Sequence, residues 1–145
     1  MDKIEIREAR PEDFNNVFVL LKQLWEKNEL QQNKLESVFL RSLVCDDDKY
    51  FCACSKDKLI GFCSVVIKDS LWQEGKIGYI NELVVDVSHR GNGIGMGLLN
   101  KAIEFAKENM CKRIELDSAF FREEAHKFYL KNGFEKRAYL FSKEL

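Results

Sequence analysis

An α+β fold, with one central mixed sheet flanked by about four helices, is what this sequence predicts on three observations. Short runs with alternating or continuous apolar character lie at residues 3–7, 50–55, 59–67, 78–85, 113–119 and 135–143. Apolar residues recur at helical spacing over residues 11–25, 34–44, 94–109 and 123–131. A polar, glycine-dense turn at residues 87–97 separates the apolar run 80–85 from the helical pattern that follows it. The neighbouring strand runs imply antiparallel hairpins. The helix between runs 78–85 and 113–119 makes that pair parallel through a right-handed crossover.

In chain order, Ile4 and Ile6 alternate with Glu5 and Arg7, as in a half-buried strand. Pro11, the only proline, stands where a first helical turn tolerates it. Phe14, Val17, Phe18, Leu21, Leu24 and Trp25 then mark one apolar helix face, and Leu35, Val38, Phe39, Leu40 and Leu43 mark a second. Asp46, Asp47 and Asp48 read as a solvated loop, with attraction of a cationic acceptor as the sharper alternative. Lys56, Asp57 and Lys58 form the turn of a hairpin.

Residues 68–76 read as a polar loop in which Trp72 packs on the hairpin or lines an acceptor pocket. Asn81 and Glu82 interrupt the apolar run that follows. A carboxylate in a strand suited to the centre of a sheet is costly unless it is paired, hydrated or functional. Ile94, Leu98, Leu99, Ala102, Ile103 and Ala106 form the core stripe of the next helix, and Asn132-Gly133 stops the last one.

The length, 145 residues, suits a single domain spanning residues 1–145 with a normal core. A net charge of −1 leaves no field that would hold nucleic acid or an anionic membrane surface. No apolar run approaches the ~20 residues of a membrane span. The charged N-terminus lacks the apolar core of a signal peptide, so a cytoplasmic location is expected. Cys45, Cys52, Cys54, Cys63 and Cys111 show no paired zinc-ligand spacing. No metal site is expected, and the cysteines read as reduced, small core hydrophobes.

The glycine-dense turn carries the chemistry. Gly91, Gly93, Gly95 and Gly97 leave the backbone free to curl around a ligand. Arg90 adds a cation, and the helix start adds N–H groups and a positive dipole end. This is an anion site suited to phosphate or pyrophosphate. A Walker loop would need Lys followed by Ser or Thr after the second glycine, and neither Gly95 nor Gly97 is followed by that pair. A dinucleotide fingerprint would need glycine at Met96 or Leu98, and fails although Glu115 and Asp117 lie at a suitable distance beyond.

Arg90-Gly91-Asn92-Gly93-Ile94-Gly95 does match R-x-x-G-x-G, and here the chain resembles the GCN5-related N-acetyltransferase (GNAT) family. The resemblance includes residues 6–13, the run Leu83-Val84-Val85 before the loop, and Ala125 with Phe128, Tyr129, Gly133 and Phe134 in an A-x-x-F-Y-x-x-x-G-F pattern. It implies a GNAT-like fold with a splayed parallel strand pair, and acetyl-CoA as co-substrate. The pantetheine arm would lie along the backbone of Leu83, Val84 and Val85, and the pyrophosphate on Arg90, Gly91, Asn92, Gly93, Ile94 and Gly95. Unpaired backbone groups at a strand splay suit an amide-bearing ligand.

The resemblance also implies direct attack of a primary amine on the thioester. Tyr129 matches the family's general acid; a phenol with an ordinary pKa near 10 is protonated at neutral pH. Glu82 is the first candidate for the base, Asp117 the second, and a water or another group the third. Arg122 stands where many members have asparagine, so it reads as a cap or phosphate contact in place of the usual CoA hydrogen bond. His89 reads as a surface turn residue or a phosphate contact. His126 reads as an orienting group for Tyr129 or as helix surface. The expected partner is an amine acceptor, small molecule or protein. The rival function is a non-catalytic acyl-CoA-binding or sensing module. Members are often dimers, and Tyr139, Leu140 and Phe141 on the last strand are the expected contribution to a homodimer.

Overall fold

The computed structural model describes residues 2–145 and divides by its contacts into two units, Met1–Glu115 and Leu116–Leu145. Strand β1 (Ile4–Glu8) leads through a 3-10 turn, Pro11–Asp13, into α1 (Phe14–Leu24), followed by α2 (Gln32–Leu43). Strands β2 (Asp48–Ser55), β3 (Lys58–Ser70) and β4 (Gly75–Val85) come next, then α3 (Ile94–Glu108), β5 (Arg113–Leu116) and α4 (Glu123–Lys131). The sheet order is β1-β2-β3-β4-β5, and the first three pairings are antiparallel. A helical crossover, α3, joins the neighbours β4 and β5, so these two run the same way and the sheet is mixed, as expected.

The pleat assigns the two faces. Phe62 and Val84 join Phe14, Val17, Leu20, Leu21 and Phe39 in one cluster, so α1 and α2 cover that face. Gly61, one residue before Phe62, faces α3: a Cβ there would stand 2.9 Å from Leu98 Cδ1 and 3.2 Å from Ile94 Cγ2. Burying a Phe or Leu side chain in such a core stabilises by about 1.5–3 kcal/mol. Cys52, Cys54 and Cys63 are buried within the sheet, in agreement with the expected core role, whereas Cys45 is exposed and Cys111 half-buried, so that role does not extend to them. Burial pushes the Cys52 thiol up to about 12, so it stays protonated and inert. The β1–α1 corner is tied by a two-pronged ion pair: the Arg7 nitrogens donate to Asp13 at 2.8 and 2.9 Å, and the Arg10 N–H donates to Asp13 Oδ2 at 2.7 Å.

Three expectations are corrected. The expected strand over residues 113–119 ends at Leu116, which leaves Asp117 exposed just beyond it. Residues 68–76 are mostly strand rather than loop: β3 and β4 extend until only residues 71–74 turn, and Trp72 lies in that turn, 68 % exposed. Residues 135–143 form no strand. A strand exists only through a neighbour's ladder, and the unit containing this segment offers just α4 and the last residue of β5. Its alternating pattern therefore stays exposed.

Candidate active site

The site begins with an irregularity in β4. Ser64 pairs with Glu82 but the next residue, Val65, pairs with Ile80, so Asn81 is an extra residue, a bulge that bends the strand. Ser64 is fully buried, and its hydroxyl accepts the Glu82 N–H at 3.0 Å. That bond replaces the ladder contact the bulge disrupts, and holds the backbone at Glu82 in place. Because Tyr50 is paired with Ser64 and Ser64 with Glu82, the three side chains stand in one row on the α1–α2 face. Tyr50 packs on Phe39 and Phe62, and its hydroxyl hydrogen-bonds Ser42. Burial first, then the Glu82 and Asp48 charges, raise its pKa, and Ser42 opposes them. Tyr50 is thus a neutral hydrogen-bonding group in the same row as Glu82, with Ser64 between them.

Beyond Glu82, Leu83, Val84 and Val85 pair with Cys63, Phe62 and Gly61 on one edge only. The Lys112 N–H donates to the Lys76 carbonyl at 2.9 Å, so β5 starts beside the start of β4. At four residues it runs out well before Leu83. The second edge at Leu83 to Val85 is where an amide-bearing chain can pair.

The loop after β4 is pinned from both sides. Gln23 on α1 donates to Asp86 at 2.9 Å and accepts the Val87 N–H at 3.0 Å. Asp86 also takes hydrogen bonds from Ser88 and from His89 Nδ1, the latter at 2.8 Å. Gln23, then Ser88 and His89, hold the Asp86 carboxyl well below the usual carboxylate range. His89 is thereby a partner of Asp86 that shapes the loop, while Gln23, distant in sequence, is the contribution that no local pattern indicates. Arg90 Nε donates to the Val85 carbonyl at 3.1 Å, and Asn92 donates to the His89 carbonyl at 3.2 Å.

Gly91 and Gly93 have φ of 82° and 78°, and a Cβ at either would meet nothing within 4 Å, so the loop is open toward solvent. Gly93 caps α3, and its carbonyl accepts the Gly97 N–H at 3.0 Å. The N–H groups of Ile94, Gly95 and Met96 precede that bond and are the helix's free-turn donors. The loop thus fits a pyrophosphate. Replacing Gly93 by Val would force a β-branched residue to a left-handed φ at a cost on the order of 1–3 kcal/mol. The expected result is a CoA Kd raised about tenfold or more in calorimetric titration, with the far-ultraviolet dichroism unchanged.

The remaining expected residues lie in the second unit. Arg122 precedes α4 with its guanidinium 5.2 Å from the Phe121 ring centre. His126 Nε2 hydrogen-bonds the Ala119 carbonyl at 2.9 Å, which ties α4 to the segment before it. Tyr129 is half-buried between Phe128 and Phe134, with ring centres 5.4 and 5.6 Å away. Gly133, at φ 86°, caps α4 as its sequence indicated. Among the described residues no group of three or more His, Cys, Asp or Glu side chains could hold a metal, and no helix is long and apolar enough to cross a membrane.

A helix start suited to a phosphate, following a strand with an edge open to an amide-bearing chain, fits an enzyme that holds a phosphopantetheine thioester. The family described as acetyltransferase (GNAT) matches residues 9–134, and the chain belongs to it. Acetyl-CoA is its donor and N-acetyl transfer its reaction. The chain is 33% identical, over 100% of its own length and 94% of the relative's, to an aminoalkylphosphonate N-acetyltransferase of Salmonella typhimurium. It is 29% identical, over 90% of its length and 88% of the relative's, to a glucosamine 6-phosphate N-acetyltransferase of Trypanosoma brucei brucei. In fold it is similar to an aminoglycoside N-acetyltransferase solved in complex with CoA, with a TM-score of 0.87, 19% identity, and coverage of 100% of this chain and 97% of that one.

Proposed function

We propose that the chain, acting as a single acetyltransferase domain, acetylates the primary amine of a small acceptor that also carries a phosphonate or phosphate. Glu82 is the base and Tyr129 the acid. The observation that carries this is the bulge: Glu82, fixed through Ser64, immediately precedes the half-paired strand edge. The acceptor class is supported by the two relatives named above, whose acceptors each join an amine to a phospho group.

Bound acetyl-CoA supplies an acetyl group activated as a thioester. Glu82 takes the proton that the amine nitrogen must lose as the new C–N bond forms. Tyr129 gives its phenolic proton to the sulfur as the C–S bond breaks, and regains one from solvent. Arg90 and the Gly91–Gly95 backbone bind the donor and move no proton. Asp117, exposed beyond β5, remains the alternative base.

The test is thiol release from acetyl-CoA across a panel of 2-aminoethylphosphonate, glucosamine 6-phosphate, propylamine and a peptide with a free N-terminus, with product masses recorded. Exposed Cys45 calls for a blank without amine. Turnover of the phospho-amines above the others is expected; CoA binding with no turnover would favour the acyl-CoA-sensing alternative. Replacing Tyr129 by Phe should leave the acetyl-CoA Kd unchanged and lower kcat about a hundredfold. An unchanged kcat would remove Tyr129 from the acid role.

A further inference from the structure

The bulge at Asn81 does more than fix Glu82. In a regular strand, residues three apart point to opposite faces, so Tyr79 and Glu82 would be separated by the sheet. Here Val66 pairs with Tyr79 and Ser64 pairs with Glu82. Ser64 and Val66 are two apart on β3 and share a face, so the extra residue brings Tyr79 and Glu82 onto the same face. Lys68, two further along β3, belongs to that face too, and its Nζ stands 4.6 Å from the centre of the Tyr79 ring. The result is a track along β3 and β4. Tyr50, Ser64 and Glu82 form its first row, Asp48, Val66 and Tyr79 its second, and the Lys68 ammonium closes it.

We infer that Lys68, steadied over Tyr79, is the residue that selects an anionic acceptor, binding its phosphonate or phosphate while Glu82 receives its amine. The inference rests on the acetyl-transfer reading above and adds the residue that sets specificity. Two rows of a sheet are separated by roughly 7 Å along the strand, and the Lys68 side chain reaches back over the second row. That span suits an amine and a phosphoryl group separated by a short carbon chain. An ammonium is a compact point charge that a phosphoryl oxygen can meet from several directions, and the contact is charge-assisted. Asp48 lies in the second row on β2 and opposes an anion on that side, so the phosphoryl group is expected on the β4 side of the row, against Lys68 and Tyr79.

The experiment compares Lys68→Gln, Lys68→Arg and the unaltered protein on 2-aminoethylphosphonate and on propylamine. A lost charge-assisted contact of this kind corresponds to about a 10- to 100-fold effect. Lys68→Gln is therefore expected to raise the KM for 2-aminoethylphosphonate by that factor. It should leave kcat, the KM for propylamine and the KM for acetyl-CoA near their original values, and Lys68→Arg should recover most of the loss. An equal loss on both amines, or no loss on either, overturns the assignment. If the unaltered protein acetylates neither amine, the acetyl-transfer reading fails by itself. Calorimetric titration of 2-aminoethylphosphonate into the CoA-bound protein then decides for Lys68: weakening in Lys68→Gln sustains it, while unchanged or undetectable binding overturns it.

Discussion

Replacing Glu82 by Gln is expected to lower kcat by about two to four orders of magnitude, with the KM for acetyl-CoA within a few-fold of its original value. The substitution is nearly isosteric, and the bond that fixes this position is donated by the backbone N–H to Ser64, so the bulge persists. What disappears, on the proposed mechanism, is the proton acceptor. An amine with a pKa near 10 is mostly protonated at neutral pH, so without a base the reaction draws on the free-amine fraction alone. The pH profile of Glu82→Gln should therefore climb about tenfold per unit toward the amine pKa, whereas the unaltered enzyme levels off earlier. Asp117→Asn is the control for the rival base. Asp117 is exposed beyond the end of β5, and its loss is expected to change kcat less than threefold, an ordinary surface effect. The opposite ranking of the two variants would transfer the role to Asp117.

The difference between these two carboxylates shows what local sequence patterns can and cannot supply. The glycine loop was legible because its signals are local: left-handed φ at Gly91 and Gly93, a cation at Arg90 and a helix start within six residues. The α4 boundaries were legible for the same reason, ending at the Asn132-Gly133 cap. Register is not local. The Tyr50–Ser64–Glu82 row joins three strands, and period-two counting places Tyr79 on the wrong face because it cannot see the bulge at Asn81. The one available signal was Ser64, a hydroxyl inside the apolar run 59–67, which has no reason to be buried unless something needs its hydrogen bond. Gln23 was invisible for a related reason: a polar residue on an amphipathic helix reads as solvent-facing until the loop it holds is folded beside it. Residues 135–143 erred in the other direction, since their alternation meets the local criterion for a strand while the partner a strand requires is missing from their unit.

The largest expected effect on stability comes from Asp13. This carboxylate is 7 % exposed, accepts two bonds from Arg7 and one from the Arg10 N–H, and joins β1 to the start of α1. Replacing it by Ala leaves the half-buried Arg7 guanidinium without its counter-charge and the Arg10 N–H without its acceptor. Breaking a buried pair from one side costs about 3–5 kcal/mol. Arg7 retains some solvent, its side chain being 22 % exposed, so the lower end, about 3 kcal/mol, is expected. For a chain of this size that lowers Tm by roughly 6–12 °C.

The pH dependence has a definite sign. The Arg7 hydrogen bonds lower the Asp13 pKa below its ordinary value despite burial, so the folded protein binds this proton less readily than the unfolded chain. The stabilisation is then fully present above the unfolded pKa, near 4, and is lost as pH falls through the lower folded value. The Tm gap between the unaltered protein and Asp13→Ala should be constant from about pH 5 upward and should shrink below pH 4. A gap that stays constant through pH 3 would mean that Asp13 acts through shape and helix capping rather than through its charge. In that case Asp13→Asn, which keeps the shape, would recover most of the lost stability; if the ion pair dominates, it recovers little.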